Sequence, residues 1–514
     1  MEQQQPPSEI QEFYKGQRIL LTGITGFIGT GLVEKLVRSC SDIDKIYTII
    51  RPRKGLGINE RMKKYFKQSV FDRVREQDPN FASKIVPIKG DLGEPDLGLS
   101  PEDRRFIIEN VTLIIHNAAS VAFYHRISAI LKVNVIGTQM MLELASECPR
   151  LKAFIYVSTA YSQSHQNSTE EKCYSPPGDL KIVEDIIAAD TITERGMTDE
   201  ALVPLLNNCT TNYTFSKAIT EGIVERFSRK ASFPCGIFRP SIVYHSCKEP
   251  HVGWLATFSG LTTLIQMYGL GYLHFVQIKG PNYPRIDVVP VDMTCNALIT
   301  CLWDLAFSWR IFNNGILGIV KCYVYHYTSG KLNTATLPYL FNGLKPYMKE
   351  KPSIKAAWYP FLIFPNNFWS FFILHCLFHI IPGVLYDLVR FKRGQPLIVI
   401  PKLKLLVYNV HSMGAFSRTD FIFEMKEIPE IWARQNETDK KIFYSDIRLL
   451  DWTAYCRSGW DSMRTYVFKE GDELLPAARR KHFKLKILHY ATCTVLLFSL
   501  LYFLYSCVCR LLGL

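Results

Sequence analysis

"RILLTGITGFIG", Arg18 to Gly29, decides the fold. Arg18 to Gly23 reads as a buried strand that ends in glycine. From Phe27 the chain continues "FIGTGLVEKLVRSC", with Ile28, Leu32, Leu36 and Val37 at helical spacing. Between strand and helix lie Gly23, Gly26 and Gly29. The first permits a tight turn, the second lets backbone come close to a ligand, and the third lets the helix pack on the sheet. A helix that starts this way presents free N–H groups and the positive end of its dipole, a seat for a pyrophosphate. The strand–turn–helix context makes the triplet a dinucleotide-binding signal, with Thr22, Gly23, Thr25, Gly26, Phe27, Ile28 and Gly29 as its expected residues.

The pattern repeats outward. "KIYTIIR" (Lys45 to Arg51), "KIVPIKGDL" (Lys84 to Leu92), "VTLIIHNAA" (Val111 to Ala119), "LKAFIYVSTA" (Leu151 to Ala160) and "CGIFRPSIV" (Cys235 to Val243) read as five further strands. Helical segments separate them. Near-continuous apolar strands of this kind belong in a parallel sheet covered on both faces. The expected fold is α/β, a Rossmann-type doubly wound parallel sheet, with an interleaved substrate region, a C-terminal helical domain and a C-terminal transmembrane helix. "RIDVVPVDMTCNALITCLWDLA" reads as a strand, a turn and a helix capped by Asp292.

Ligands bind at the carboxyl ends of such strands. The second strand ends in "RPRK", with Arg51, Arg53 and Lys54 and no acid to take the ribose hydroxyls. Arginine forks onto a 2′-phosphate, so NADPH is expected over NADH. Asp91 and Leu92 end the third strand, near an adenine. Asn117, Ala118 and Ala119 end the fourth, small enough for a cofactor backbone to approach.

The fifth strand ends in Ser158 and Thr159, and "NYTFSK" then places Tyr213 and Lys217 on one face of a helix. A phenol of ordinary pKa is a poor acid at neutral pH. A lysine one turn away and a cationic nicotinamide ring lower it, and a hydroxyl on the neighbouring strand end orients a carbonyl. Asn208 and Asn212 also begin glycosylation triplets, as do Asn110, Asn167 and Asn436. They are expected to be accidents of composition, because "MEQQQPPSEIQEFYKG" carries no apolar signal segment.

The chain has 514 residues, a net charge of +13 and 48% hydrophobic residues. That is enough for two or three domains with real cores. Its 14 cysteines are scattered without a Cys/His cluster, so no metal site is expected. No zinc-finger or RNA-binding signature accompanies the basic charge, so nucleic acid is not an expected partner. "ILHYATCTVLLFSLLYFLYSCVC" (Ile487 to Cys509) has no charged residue. As a helix it covers roughly 34 Å, enough for a bilayer core. The basic "ARRKHFKLK" before it keeps that flank in the cytosol. "FWSFFILHCLFHII" (Phe368 to Ile381) reads as a buried or membrane-lying helix, too short to span.

The glycine motif, the strand-end Thr159, Tyr213-x-x-x-Lys217 and "RPSIV" resemble the extended short-chain dehydrogenase/reductases. "KLVRSCSDIDKIYTIIRPRKG", "FIYVSTAYS", "FRPSIVYHSCKEPHVGW", "VVPVDM" and "DIRLLDWTAY" narrow the resemblance to the fatty acyl-CoA reductases of the male-sterility family. That resemblance implies an NADPH-binding reductase domain over 13–345, with a substrate cover mainly at 162–211 and 245–345. A helical sterile-type domain over 350–475 and a membrane anchor over 487–509 follow. It implies reduction of a long-chain acyl-CoA to a primary alcohol with release of CoA, for wax ester or ether lipid synthesis. Tyr213 would donate the proton, Lys217 would hold the nicotinamide ribose, and Thr159, or less favourably Ser158, would bond the carbonyl oxygen. A peroxisomal membrane is the implied location, with the endoplasmic reticulum as alternative. Two departures bear on activity. Ile24, bulky in a loop that touches phosphates, stands where relatives commonly have Ala, so a reduced cofactor affinity is expected, and "HNAAS" replaces a His-Cys-Ala-Ala pattern. A membrane-bound hydroxysteroid dehydrogenase-like reductase and an inactive cofactor-binding scaffold stay open.

Overall fold

In a computed structural model, residues 6–512 are described apart from 53–54, 122–125, 193, 195, 259, 279–282, 314–321 and 401–418. The chain forms two compact units, 1–257 with 285–335 and 419–450, and 258–284 with 336–418 and 451–514.

The first unit is built on seven parallel strands: β1 (Arg18–Thr22), β2 (Lys45–Ile50), β3 (Ile85–Lys89), β4 (Leu113–His116), β5 (Ala153–Val157), β6 (Cys235–Pro240) and β7 (Tyr323–Tyr327). They lie in the order β7-β6-β5-β4-β1-β2-β3. β4, β5 and β6 are buried at every position, as a parallel sheet covered on both faces requires. The helix Phe27–Ser39 packs against Val291–Asn313. At Gly31 a Cβ would lie 2.9 Å from Cys295 Sγ, so only glycine lets the two approach this closely. The helix Asn212–Ser228 packs against Gly137–Ser146. Winding reverses between β1 and β4, where Thr22 lies opposite His116, and this opens a crevice beyond the strand ends.

Three features depart from the expected pattern. β7 was not anticipated, because its Tyr-Val-Tyr-His-Tyr run is aromatic rather than aliphatic. The sixth strand ends at Pro240, and Ile242–Tyr244 pairs instead with Val288–Pro290. Asp292 is not an N-cap. It sits inside its helix, and its carboxylate accepts from the N–H groups of Cys247 (2.9 Å), Lys248 (2.7 Å) and Glu249 (2.9 Å) and from the Tyr444 hydroxyl (2.6 Å).

The second unit is mainly helical. Leu337–Glu350 packs on Trp452–Ser462, and the indole of Trp460 donates to the Lys351 carbonyl at 2.9 Å. The linear division expected is crossed twice. Phe275 bridges to Ile363, which draws 258–284 into this unit. Ile422–Phe423 pairs with Ser168–Thr169, which draws 419–450 into the first. Leu475–Leu512 is one 38-residue helix. Its apolar window is 0% buried.

Candidate active site

The crevice between β1 and β4 has one half built for a dinucleotide. Gly23 has φ +75°, and a Cβ there would lie 2.8 Å from the Ala118 Cα. At Gly29 a Cβ would lie 2.1 Å from the Gly23 carbonyl oxygen, so the helix start and the turn are in direct backbone contact. Gly26 differs. A Cβ there would meet only the Gly23 carbonyl, at 3.2 Å, and open space beyond. Gly26 is also the N-cap of Phe27–Ser39 and makes no side-chain cap bond, so the first N–H groups stay available. Thr25 and Gly26 are exposed, and Phe27 and Ile28 half-buried. These residues fit a nicotinamide dinucleotide.

Ile24 does not face the phosphates. Its side chain is fully buried, so its bulk lies beneath the loop rather than in the crevice. Thr22 also works inward. Its hydroxyl accepts from the N–H groups of Asn117 (3.1 Å) and Ala118 (3.0 Å) and bonds His116 Nδ1 at 3.0 Å. It thereby sets the β4 end, where Asn117, Ala118 and Ala119 are half-buried along the crevice. His116 bonds Thr138 on its other nitrogen at 3.0 Å, and burial pushes its pKa down to about 3, so the imidazole is neutral.

Beyond β2, the Arg51 guanidinium lies 3.3 Å from the Asp91 carboxylate. Arg53 lies outside the described residues. Leu92 is buried and packs at Gly137, where a Cβ would lie 2.4 Å from the Leu92 carbonyl.

The residues expected to react lie where β5 ends and on the helix Asn212–Ser228. That helix starts cleanly: Thr211 and Thr214 make a reciprocal capping box. Lys217 is 2% exposed, and its ammonium donates to the Val157 carbonyl at 2.6 Å. It sits 4.5 Å above the Tyr156 ring and 5.8 Å from the Tyr213 ring centre. Burial pushes its pKa down to about 7, opposed by the nearby Glu221. Burial, with Glu221 adding to it, pushes the Tyr213 phenol up. Burial thus acts on the phenol in the direction opposite to the effect expected of the lysine and a cationic nicotinamide ring. A raised phenol is protonated at neutral pH, the form a proton donor needs.

Ser158 and Thr159 part company. The Ser158 hydroxyl donates to Glu221 at 2.5 Å, inside the protein. The Thr159 hydroxyl accepts from the Tyr161 N–H at 3.3 Å, which leaves its own O–H to donate.

Sequence reasoning missed two supports. Glu221 continues the Tyr213–Lys217 face by one turn, a spacing that was readable. Its carboxylate forks with the Arg239 guanidinium at 2.9 and 2.8 Å and accepts from Gln163 at 3.2 Å, with both charges buried. The second is Asn134. It lies in a π-turn, Lys132–Ile136, that no spacing rule signals. Its side chain accepts from the Ser120 N–H at 2.7 Å and donates to the Ser216 hydroxyl at 2.9 Å, tying the β4 end to the Tyr213 helix.

The chain is similar to known proteins over almost its whole length. The family described as male sterility protein matches twice, over residues 21–298 and 378–470. Fatty acyl-CoA reductase 1 of Rattus norvegicus is 31% identical over 487 residues, 95% of this chain and 92% of that one. The same-named protein of Homo sapiens is 30% identical over 495 residues, with the same shares. The fatty acyl-CoA reductase wat of Drosophila melanogaster is 30% identical over 494 residues, 95% of this chain and 91% of that one. Among solved structures, the terminal R domain of the myxalamid biosynthetic pathway superimposes with a TM-score of 0.57 at 17% identity, over 88% of this chain and 92% of that one. The reductase domain of a nonribosomal peptide synthetase from Mycobacterium tuberculosis gives 0.56 at 18% identity, over 90% and 93%. These two share the fold. With its nicotinamide-dinucleotide crevice, its sterile-type C-terminal region and full-length relatives, the chain belongs to the fatty acyl-CoA reductase family of male sterility proteins.

Proposed function

We propose that this protein reduces long-chain acyl-CoA to the primary alcohol, with NADPH as reductant and CoA as the released group. The observation that carries this reading is the Lys217 ammonium, which bonds the Val157 carbonyl two residues before Thr159 and lies 5.8 Å from the Tyr213 ring centre, in one unit with the glycine cradle. Bound NADPH supplies hydride equivalents, one at the thioester level and one at the aldehyde level.

The chain's own groups handle the oxygen and its proton. The Thr159 O–H bonds the substrate carbonyl oxygen and polarises it. At the thioester stage the resulting tetrahedral oxyanion collapses and expels CoA as its thiolate. At the aldehyde stage Tyr213 donates its phenolic proton to the oxygen, giving the alcohol. Lys217, anchored on Val157 by one donor, keeps its others for the nicotinamide ribose. Glu221 and Ser158 lie behind and hold the lysine's surroundings. Arg51 takes the 2′-phosphate, which favours NADPH over NADH. The buried Ile24 removes the steric reason to read the chain as an inactive scaffold. The match over 378–470 argues against a hydroxysteroid dehydrogenase, which would lack that region. The tail helix seats the enzyme in a membrane, with the reductase unit in the cytosol. The peroxisomal membrane is the favoured site, and its alcohols would feed wax ester or ether lipid synthesis.

The test is purified protein with palmitoyl-CoA and NADPH, scored for free CoA and hexadecanol. Turnover of a steroid instead, or NADPH binding without turnover of either, would overturn the reading.

A further inference from the structure

The segment Phe368–Lys392 has no function in the mechanism, yet its surface is anomalous. It runs as helix Phe368–His375, π-turn Cys376–Ile380 and helix Ile381–Lys392. Over these 25 residues the apolar window is only 11% buried. Trp369 and Phe391 are each 70% exposed, and Phe372, Ile373, Leu377 and Leu385 are about half exposed. A continuous apolar surface of this kind marks contact with a partner or a membrane.

Three observations say what covers it. First, the chain reverses at its end. Gly394 has φ +67°, and the Gln395 N–H returns to the Arg390 carbonyl at 3.0 Å. The Asp387 carboxylate then accepts from the N–H groups of Ile398 (3.0 Å), Val399 (3.1 Å) and Ile400 (2.8 Å). This pins "LIVI" back beside the helix. Second, the chain before and after lies in the same unit: β7 precedes the segment and Ile422–Phe423 follows it. A helix that crossed a bilayer would have to cross back before residue 419. The intervening sequence carries Arg393, Lys402 and Lys404 and the breakers Gly394, Pro396 and Pro401, which suit no second span. Third, the segment joins the tail helix where that helix turns apolar. His379 bonds His274 at 3.0 Å, His274 stacks on Phe361 at 4.3 Å, and Phe361 packs on His489 at 4.8 Å. His489 lies two residues into the charge-free run of the tail. The middle of the exposed apolar segment and the start of the tail's apolar run thus meet in one aromatic cluster.

We propose that residues 368–400 form a second membrane contact, an apolar hairpin that lies along one leaflet of the bilayer the tail helix crosses, its turn at Gly394 at headgroup level, with phospholipid acyl chains as its partner. The exposed Lys392 and Arg393 at its turn side are placed to reach lipid phosphates. A membrane-embedded hairpin holds the second unit against the surface from which a long acyl chain must come.

The test uses the full-length protein in phospholipid vesicles. A photo-reactive phenylalanine analogue is placed at Phe372 or Leu377, and at Leu449, which is 69% exposed in the first unit, as control. Lipid adducts are expected at 372 and 377 and not at 449. Adducts only to a second copy of the chain, or none, would overturn the proposal. In the same vesicles a protease site inserted after Gly394 should be cut from the side that exposes the N-terminus. Its protection would mean a full crossing and would overturn the hairpin.

Discussion

The ammonium of Lys217 donates to the carbonyl of Val157 at 2.6 Å and so ties the Tyr213 helix to the end of β5. Ser158 and Thr159 follow that carbonyl directly. The bond joins the helix that carries Tyr213 to the strand end that carries Thr159. Lys217→Met keeps the length and loses the charge and the donors. It should remove most turnover and raise the KM for NADPH, with little change in Tm because removal of a buried charge offsets the lost bond to Val157. Steady-state kinetics beside a thermal melt check this, and unchanged kinetics would count against the lysine's role.

Burial pushes Lys217 down to about 7 from an ordinary value of 10.5. Its ammonium form therefore predominates only below about 7. In the free enzyme, kcat/KM for NADPH should fall on the alkaline side with an apparent pKa near 7. Glu221 holds the proton on, so Glu221→Gln should move that limb to lower pH. For stability the sign is opposite. Between about 7 and 10.5 the unfolded chain keeps a proton the folded one releases, so this group's burial penalty is full below 7 and relieved as pH rises.

Glu221 and Arg239 are a forked ion pair with side chains 1% and 0% exposed. Removing one charge strands the other. Glu221→Gln should cost about 3–5 kcal/mol, read by denaturant unfolding, whereas an exposed pair would give under about 1 kcal/mol.

The glycines of the first turn should separate by function. Gly23→Ala places a Cβ 2.8 Å from Ala118 at φ +75° and should destabilise by more than about 1 kcal/mol. Gly26→Ala meets only one oxygen at 3.2 Å, so it should fold normally and lose NADPH affinity. Equal melts with equal NADPH affinity in both variants would remove the cradle from the cofactor site.

Arg51 is an exposed cation at the β2 end, 3.3 Å from Asp91. Arg51→Ala should raise the KM for NADPH by roughly tenfold or more, the worth of one charge-assisted bond, and leave NADH nearly unaffected. Equal effects on both cofactors would refute the 2′-phosphate assignment.

Much of this was legible in the sequence. Arg18–Gly29 has one physical reading, because unbroken apolar strands and a glycine-spaced turn fit few other structures. β7 was missed because Tyr323–Tyr327 has a tyrosine at every second position, with only one valine between them, and matches no aliphatic template. The interleaving of the two units was illegible, since it depends on short pairings such as Phe275 with Ile363 that leave no periodic trace. At the site, Tyr213 and Lys217 stand at helical spacing and could be paired on sight. The resemblance ranked Thr159 above Ser158, but the physical cause could not be seen, because Glu221, which takes the Ser158 hydroxyl, lies far along the chain. Ile24 looked like a ligand-facing residue, and only the fold turns it inward.

The most direct test is turnover of palmitoyl-CoA with NADPH by the wild type and by Tyr213→Phe, with NADPH binding measured on both. The wild type should release CoA and form hexadecanol. Tyr213→Phe should bind NADPH as tightly and form no alcohol. Alcohol formation by Tyr213→Phe at the wild-type rate would contradict the assignment of Tyr213 as the proton donor.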